Sequence, residues 1–511
     1  MARTSGQAMS SWLVRRLSTA ALTVTKNKKS ISTTSSSSLI VKEEKKSSEL
    51  YKRLSVLGGR NDMNVGETLN EWAKEGKSVN KKEIIGFVYQ LRKYKKYNHA
   101  IQLLEWLDKR GQTLSYANQA VHLDLIAKAK GIDSAEKYFT SLPESSKNKL
   151  TYGALLNCYC QEKMTKKAMD LLEKMKEQNL ASTCLAYNNI ISLHMRSGEP
   201  EKVPLLVQEM KEKKITTNIY TYAFLMSSYA LLKDIESAGR VIEEMKTDGI
   251  SRNWSIYANL ASIYVKEGNF DQANVTLKQM EKRMDVRDRK AYYILIGLYS
   301  HTSNKLGVDR VWDSLKSAFP ELTNMCYLSK LQALHRLGDT DGLKKCFDDW
   351  ESGCSNYDIK LVNVLIDSYL SRGMIPEAEA LLERAVRKVG KASFRTLEMF
   401  MNFYLEKRQL DSALKYLKTA ASMKNEYEWK PSQDVVDMFL RYLEEEKNVD
   451  GAENLFKSLK KLNSVSTEVY DSLLRTYVAA GIKDPEMHKR MKEDGIEASP
   501  SSKTLIGKVC L

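Results

Sequence analysis

The residues of this 511-residue chain that could bind a metal or act as nucleophiles are scattered. No two cysteines have CxxC spacing, and a structural zinc site needs paired thiolates at such short spacing. The seven cysteines therefore predict no metal site, and we expect them to be free thiols in a reducing compartment. They are Cys158, Cys160, Cys184, Cys326, Cys346, Cys354 and Cys510.

Other catalytic arrangements are missing from the sequence as well. None of the six histidines begins an HxE motif, and no glycine-rich phosphate loop ends in Gly-Lys-Ser/Thr. The acidic pair Asp348–Asp349 lies beside Trp350 on a predicted helix, which indicates a solvated surface. His122 and His194 fall on helical faces, where we expect neighbouring groups to satisfy them. The sequence predicts a protein that is not an enzyme and that needs no cofactor or small-molecule substrate.

Positive charge is the chemical property that the chain offers most clearly. Lysine and arginine total 80 against 64 acidic residues, which gives a formal net charge of +16. One cluster combines four cations with two aromatic rings, and we expect it to contact the phosphates of a polyanion such as RNA. It consists of Arg92, Lys93, Tyr94, Lys95, Lys96 and Tyr97.

Two further basic patches occur later in the chain. The first is diluted by Glu212, and each of them is typical of a solvated helix face. If they line one groove, they hold a phosphate backbone without reading its sequence. The patches are Lys211, Lys213 and Lys214, and then Lys457, Lys460 and Lys461.

Residues 1–42 have the composition of a targeting segment. They carry seven basic residues and no acid, and they are rich in serine and threonine. Trp12, Leu13 and Leu17 with Arg15 and Arg16 can form a short amphipathic helix, as in organellar presequences. We expect import into the mitochondrion, with the chloroplast as the alternative. Without this segment the net charge is +9. No window has the roughly 18 apolar residues of a membrane span.

The strongest regularity of the sequence is a period of 35 residues. It is visible in four interleaved series, of tyrosine, methionine, small or aliphatic residues, and glycine. The tyrosines are Tyr152, Tyr187, Tyr222, Tyr257, Tyr292 and Tyr327, and the methionines are Met175, Met210, Met245 and Met280. The third series is Ala168, Val203, Ala238, Ala273, Val308, Leu343, Ala378 and Ala413, and the glycines are Gly198, Gly268, Gly338 and Gly373.

The pattern within each 35-residue unit predicts two amphipathic helices joined by a turn. Apolar residues recur at i, i+3, i+4 and i+7 from Tyr152 and again from Ala168. Glycine suits the turn because a left-handed residue ends a helix at little cost. Two such short helices are unstable alone and must bury their apolar faces on neighbouring units. The period predicts an all-α fold, a right-handed α-solenoid superhelix of about twelve helix-turn-helix repeats.

The expected domain organisation follows from the extent of the repeat. Residues 1–42 form the disordered presequence, and 43–80 form a cap or partial repeat. The repeat array occupies 81–500, and 501–511 form a tail.

The units resemble pentatricopeptide repeats of the pure (P) subclass, which is common in plant mitochondria. The resemblance lies in a TYxxLI-like start, a short turn, an A-x6-M spacing and a Gly-Ile-like close, as in NIYTYAFLMSSYALLKDIESAGRVIEEMKTDGI. Tetratricopeptide repeats have a similar length, but their first-helix glycine and their proline after the second helix are not regular here. The members of the family that edit RNA carry an HxE and a CxxC in a deaminase-like tail, and this chain shows neither motif.

The resemblance implies that two side chains of each unit can read one RNA base. One directly follows the repeat tyrosine, and the other is the last residue of the unit. A third residue, just inside the next unit, would flank the base. Asn188 with Asn218 makes a pair with two polar members, which family usage associates with a pyrimidine, and Asn363 with Ser393 makes a weaker one.

Most other units keep at most one polar member of the pair. Asn253, Asp288 and Asp358 stand at the second position opposite Ala223, Ala258 and Leu328. Gly153 with Thr183 and Tyr293 with Thr323 depart from the pattern, and Glu398 would repel phosphate.

The resemblance leads to one main functional hypothesis and two alternatives. The main hypothesis is a non-catalytic mitochondrial protein that binds single-stranded or ribosomal RNA and acts in RNA metabolism or translation. The poor reader positions also allow a ribosome-associated structural or assembly component that contacts ribosomal RNA and mitochondrial ribosome proteins. The third hypothesis is a protein-binding scaffold of tetratricopeptide type.

Overall fold

The computed structural model describes residues 50–54, 65–76, 80–423 and 429–510. All regular structure in these ranges is helical, and the chain divides into two compact units, Met1–Met284 and Asp285–Leu511. The presequence predicted for residues 1–42 lies outside the described residues. None of the helices described has the length and apolar character needed to cross a bilayer.

The first unit contains thirteen of the described α-helices. They are α1 (Val65–Lys74), α2 (Lys81–Lys93), α3 (Tyr97–Lys109), α4 (Tyr116–Lys130), α5 (Ile132–Ser141), α6 (Lys149–Gln161), α7 (Thr165–Glu177), α8 (Cys184–Ser197), α9 (Lys202–Glu212), α10 (Ile219–Leu231), α11 (Ile235–Thr247), α12 (Trp254–Lys266) and α13 (Phe270–Glu281).

The second unit contains thirteen more. They are α14 (Arg289–His301), α15 (Lys305–Ala318), α16 (Asn324–Arg336), α17 (Thr340–Gly353), α18 (Ile359–Ser371), α19 (Ile375–Val389), α20 (Phe394–Glu406), α21 (Leu410–Ser422), α22 (Gln433–Glu445), α23 (Val449–Lys461), α24 (Thr467–Ala480), α25 (Met487–Glu493) and α26 (Pro500–Cys510).

Twelve consecutive helix pairs run from α2 to α25, which matches the number of repeats predicted from the sequence. Within each of the two compact units, most first helices pack on the second helix of their own pair and on the first helix of the next pair. Helix α1 precedes the pairs and packs on α3. This is the α-solenoid of helical repeats that the 35-residue period predicts.

The third series of the repeat marks the closest approach of the two helices. All eight of its residues, from Ala168 to Ala413, are fully buried at the start of the second helices. In several repeats the tyrosine packs its ring into the same core and directs its hydroxyl to an acid at the end of the second helix. Tyr187 donates to Glu209 at 3.0 Å and Tyr470 to Asp494 at 2.6 Å.

The turn between the paired helices is left-handed at every step of the glycine series. Gly198, Gly268, Gly338 and Gly373 have φ angles between 71° and 77°. Their equivalents in the intervening units are not glycines but keep the same conformation, with φ angles of 55° to 65°. These residues are Lys163, Lys233, Ser303 and Arg408.

The end of the chain differs from the prediction. Residues 501–511 were expected to be a tail, but Pro500–Cys510 form α26, which packs on α24. Val509 and Ser502 are fully buried in this contact, and Ser502 donates to Asp471. The helix covers the exposed face of the last first helix, as expected of a solenoid cap.

Candidate nucleic-acid interface

The fold brings together the two reader positions predicted for the unit that begins at α8. Asn188 lies in the first turns of α8, and Asn218 is the N-cap of α10, the next first helix. The amide Nδ2 of Asn188 donates to Oδ1 of Asn218 at 3.3 Å. The unit boundary therefore pairs residues that are 30 positions apart in the sequence.

Capping fixes the orientation of the Asn218 amide. Its Oδ1 accepts hydrogen bonds from the backbone N–H groups of Tyr220 and Thr221, at 3.0 and 3.1 Å. Its Nδ2 faces the other way and donates to Sγ of Cys184 at 3.1 Å. Since an amide nitrogen carries two hydrogens, Asn218 and Asn188 each retain one N–H. Two N–H donors suit the acceptor groups of a pyrimidine.

Asn363 and Ser393 are linked through a threonine of the next first helix. Thr396 donates its hydroxyl to Oδ1 of Asn363 at 2.7 Å, and its backbone N–H donates to the Ser393 hydroxyl at 3.3 Å. Both predicted reader residues thus meet at Thr396, and Ser393 caps α20.

The remaining predicted residues at the second position are all helix N-caps. Asn253 accepts from the N–H of Ser255 at 3.0 Å, Asp288 from Lys290 at 3.0 Å, and Asp358 from Lys360 at 3.0 Å. Asn253 is exposed, whereas Asp288 and Asp358 are half-buried. Their first role is to cap the N-terminus of the helix, because each accepts a hydrogen bond from a backbone N–H group that has no partner within the helix.

Two positions that depart from the family pattern still contact the next cap. The hydroxyl of Tyr293 lies 3.5 Å from Oγ1 of Thr323. Oε1 of Glu398 accepts from the backbone N–H of Ser432, the cap of α22, at 3.1 Å. The contact between the residue after the tyrosine position and the next cap is therefore not limited to asparagine.

The residue expected to flank a base is an exposed apolar side chain in several units. Leu150 is 41% exposed, Leu185 38% and Met325 52%. Each lies in the first turn of a first helix, directly after the cap region. An exposed apolar side chain beside a polar pair offers a surface on which a base can stack.

The basic cluster around α2 only partly keeps its predicted role. Arg92 donates to the buried carboxylate of Asp124 at 2.7 Å, and its side chain is only 17% exposed. This ion pair neutralises Asp124, which Lys128 also contacts at 2.7 Å. The guanidinium of Arg92 is thus engaged within the protein, and its phosphate contact stays a prediction.

Lys95 and Lys96 are exposed in the turn after α2. They follow the last turn of a first helix of 13 residues, which is about 20 Å long and has the reader positions at its N-terminus.

The other two basic patches are largely neutralised by ion pairs. Lys211 contacts Glu244 at 2.5 Å and Asp248 at 3.0 Å, and Lys213 contacts Glu209 at 2.7 Å. In the later patch, Lys460 contacts Asp494 at 2.5 Å. These lysines lie on or next to second helices, where they stabilise the solenoid.

Three cations that the search for sequence clusters missed recur at one position of the repeat. Arg196, Lys266 and Arg336 occupy the same position of their units, eight residues after the first reader position and 70 residues apart. Burial lowers the pKa of all three below the usual value for their side chains. Their regular spacing was the available signal.

The two histidines singled out in the sequence behave differently. His194 meets Glu199 at 2.7 Å, as expected of a satisfied histidine. His122 is buried against the ring of Tyr138, and neither of its ring nitrogens has a hydrogen-bond partner among the described residues. Burial lowers its pKa to about 4, which keeps the ring neutral and makes the missing partners tolerable. The prediction that His122 is satisfied was wrong.

The described residues contain no group of three or more potential ligands that could hold a metal ion. All seven cysteines are free thiols, and burial raises the pKa of Cys158 and Cys160 to about 12. These two are therefore packing residues that remain protonated at neutral pH.

A solenoid of paired helices with polar pairs and apolar side chains at its repeat boundaries belongs to the class of helical-repeat proteins. Comparison with protein families identifies the kind of repeat. The model of the pentatricopeptide repeat domain matches residues 205–267 and 240–300. The model of the PPR repeat matches 150–180, 185–215 and 361–388.

Relatives from Arabidopsis thaliana extend the match to nearly the whole chain. A mitochondrial pentatricopeptide repeat-containing protein is 40% identical over 462 residues, which cover 90% of this chain and 92% of the relative. A second one is 37% identical over 469 residues, with 90% and 87% coverage. The large ribosomal subunit protein mL101 (rPPR4) is 42% identical over 464 residues, with 90% and 94% coverage.

The chain belongs to the pentatricopeptide-repeat protein family. Its relatives place it in the mitochondrion. The solved structure of the pentatricopeptide repeat protein PPR10 in complex with an 18-nucleotide psaJ RNA element is also similar. It has 15% sequence identity and a TM-score of 0.43, and the match covers 91% of this chain and 71% of that one.

Proposed function

We propose that this protein binds single-stranded or ribosomal RNA in the mitochondrion, without catalysing a reaction on it, and acts in RNA metabolism or translation. The observation that carries the proposal is the pairing of Asn188 with Asn218 at a unit boundary. Each of the two amide nitrogens keeps one N–H donor besides the hydrogen bond that it donates, at the positions that the family resemblance assigns to base reading, which supports the proposal. The exposed side chain of Leu185 beside this pair supplies an apolar surface for stacking.

The affinity of this interface comes mainly from the RNA backbone. Only the pairs Asn188–Asn218 and Asn363–Ser393 have two polar members of the kind that read bases, so sequence readout is confined to a few positions. Arg196, Lys266 and Arg336 repeat along the first helices and supply positive charge for phosphates. We therefore expect tight binding with a weak sequence preference.

The direct test measures RNA binding by the full-length protein. Fluorescence anisotropy with labelled single-stranded RNA of random sequence, at several salt concentrations, should give a dissociation constant that rises with salt. The same RNA annealed to its complement should bind much more weakly, because its bases are not available. Absence of binding at low salt would rule out the proposal.

A second candidate is a component of the mitochondrial ribosome that contacts ribosomal RNA and ribosomal proteins. The specific observation in its favour is the 42% identity with the large ribosomal subunit protein mL101, over 94% of that protein. The small number of base-reading pairs agrees with it, since a structural component recognises folded RNA by shape and backbone contacts.

Sedimentation separates the two candidates. The tagged protein is followed through a gradient of mitochondrial lysate, with EDTA to dissociate the ribosomal subunits and with RNase in a parallel sample. A ribosomal component follows one subunit after dissociation. A protein that binds transcripts shifts to light fractions with RNase and is not held by either subunit.

A further inference from the structure

A small polar notch opens on the first helices α6, α8 and α10. Its polar lining comes from Asn157 of α6 and from Asn189, Ser192 and Arg196 of α8, and Phe224 of α10 forms an apolar wall. The accessible volume is about 10 Å³, which admits one oxygen-sized atom. Asn188, the first reader residue, lines the same notch.

Three buried polar atoms of the notch have no hydrogen-bond partner among the residues that the structure describes. They are Nδ2 of Asn157, Nδ2 of Asn189 and Oγ of Ser192. The three residues are 5%, 8% and 6% exposed. A buried donor without a partner costs about 1–3 kcal/mol, and three of them in one place require a physical reason.

Two equivalent positions in nearby units are satisfied within the protein. Ser227, one unit after Ser192, donates to the carbonyl of Ala223 at 2.8 Å. Asn259, two units after Asn189, donates its Nδ2 to the same carbonyl at 3.2 Å. The fold can therefore satisfy polar residues at these positions, whereas the hydroxyl of Ser262, two units after Ser192, again has no partner among the described residues. The notch at α8 differs in that three such groups line one small space.

The chemistry of the notch favours an anionic oxygen. The two amide nitrogens are donors and the hydroxyl can donate, while none of the described residues that line the notch is acidic. The guanidinium of Arg196 adds positive charge, and it is held in place by the carbonyl of Cys160 at 2.5 Å and by Gln161 at 3.3 Å. Donors to a charged acceptor make the stronger class of hydrogen bond.

We propose that the notch formed by Asn157, Asn189 and Ser192 binds a non-bridging phosphate oxygen of a bound RNA strand. This assignment rests on the proposed RNA binding and adds an anchoring point for the backbone beside the Asn188–Asn218 pair. A single oxygen fills the space, three neutral donors contact it, and Arg196 balances the phosphate charge. The contact is independent of base identity because every nucleotide carries the same phosphate.

The alternative occupant is an ordered water molecule that serves only the structure. The two occupants predict opposite results for stability. If a structural water holds the three groups, their removal destabilises the protein. If the donors have no partner until a phosphate binds, their removal leaves the stability of the free protein unchanged or raises it, as is usual for groups that serve function at a cost in stability.

The test uses full-length protein with the single changes Asn189→Ala and Ser192→Ala, and Ser227→Ala as the matched control at a satisfied position. Affinity for four labelled homopolymeric RNAs and the thermal unfolding temperature are measured for each. We expect each notch variant to bind all four RNAs roughly tenfold more weakly, by the same factor. Unfolding temperatures should be equal to or above that of the wild type, and Ser227→Ala should bind as the wild type does.

Three outcomes would overturn the assignment: unchanged affinity, a loss confined to one base, or a loss of affinity that accompanies a fall in unfolding temperature. A wild-type protein that binds none of the four RNAs would instead refute RNA binding itself. Because this failure appears in the wild type and the others only in the variants, the two are distinguishable.

Discussion

The hydroxyl of Thr221 donates a hydrogen bond to Oδ1 of Asn188 at 2.9 Å, across the boundary between two repeats. Thr396 makes the equivalent bond to Asn363 at 2.7 Å. In each case a threonine of the next first helix occupies the amide oxygen of the reader residue. The amide must therefore present its nitrogen to a ligand, so the threonine decides that the first reader offers a donor.

The second reader residue can be changed without loss of its cap. Asparagine and aspartate cap helices about equally well, whereas alanine costs about 1 kcal/mol. Asn218→Asp replaces the remaining N–H donor by an acceptor, so the preference should move from cytosine towards uracil, which presents its N3–H. Binding to oligonucleotides that differ at one position measures the shift, and thermal unfolding should show little change for Asn218→Asp and a loss for Asn218→Ala.

Asn253→Asp is the matched control for this change. Asn253 is also an N-cap, but its partner position is Ala223, which cannot contact a base edge through a polar group. The same substitution there should alter base preference much less. Equal effects at Asn218 and Asn253 would show that the pair is not the reading unit.

The three repeated cations, Arg196, Lys266 and Arg336, should control the salt dependence of RNA binding. Lys266→Gln removes one phosphate contact, so the slope of log affinity against log salt should become shallower by about 0.7, the value for one contact with a single strand. Lys278→Gln removes an exposed lysine from the second helix of the same repeat and should leave the slope unchanged. Titrations at four or more salt concentrations measure both slopes, and identical slopes for the two variants would contradict a phosphate contact at Lys266.

The left-handed turns predict a pair of reciprocal stability effects. Lys163 has a φ angle of 56° where the next unit has Gly198 with a φ angle of 77°. Lys163→Gly should stabilise the protein by about 0.5–1 kcal/mol, because the left-handed conformation strains a side chain but not glycine. Gly198→Lys should destabilise it by a similar amount, although there is space for a Cβ atom. Chemical denaturation measures the change in the free energy of unfolding for both variants. Changes of the same sign would contradict backbone strain at these left-handed turns.

Glu209 should make the stability of the first unit depend on acid. Burial raises its pKa, but hydrogen bonds from Lys176, Lys213 and Tyr187 outweigh burial and lower the pKa from 4.5 to about 2. Since the folded pKa is the lower one, the stabilisation is complete above about pH 4.5 and is lost as the pH falls towards 2.

Glu209→Gln should lower stability at neutral pH by an amount on the order of 2 kcal/mol. It should also flatten the pH dependence of unfolding between pH 4.5 and 2. Glu177→Gln, at an exposed glutamate of α7, is the control and should retain the wild-type profile. Thermal unfolding at several pH values tests this, and an unchanged profile for Glu209→Gln would contradict the role of its three donors.

The repeat period predicted most of the fold because packing alone determines it. Ala238 and Met245 must be buried wherever two helices cross at a fixed spacing, and both are fully buried. Helix α26 was not predicted because it lies outside the period, and a short segment such as Pro500–Cys510 gives little periodic signal. The left-handed conformation of Lys233 could not be predicted from the sequence either, because lysine, unlike glycine, does not favour a positive φ angle.

The candidate site was predicted less completely, because contacts between distant residues decide it. The pairing of Asn188 with Asn218 followed from the family pattern. The ion pair that engages Arg92 involves Asp124, which is 32 positions away, and no local pattern indicates it. Arg196 and Lys266 were overlooked because they form no cluster in the sequence, although their spacing marks them as equivalent.

The capping of several first helices by the last residue of the preceding unit has an evolutionary consequence. The residues that cap a helix well, Asn, Asp, Ser and Thr, are also those whose short polar side chains can face a base edge. A change from Asn to Asp or Ser at Asn218 or Asn253 therefore alters what the protein recognises while the helix remains intact. Target preference can drift one repeat at a time under nearly constant stability, so selection on folding does not oppose the acquisition of new RNA targets.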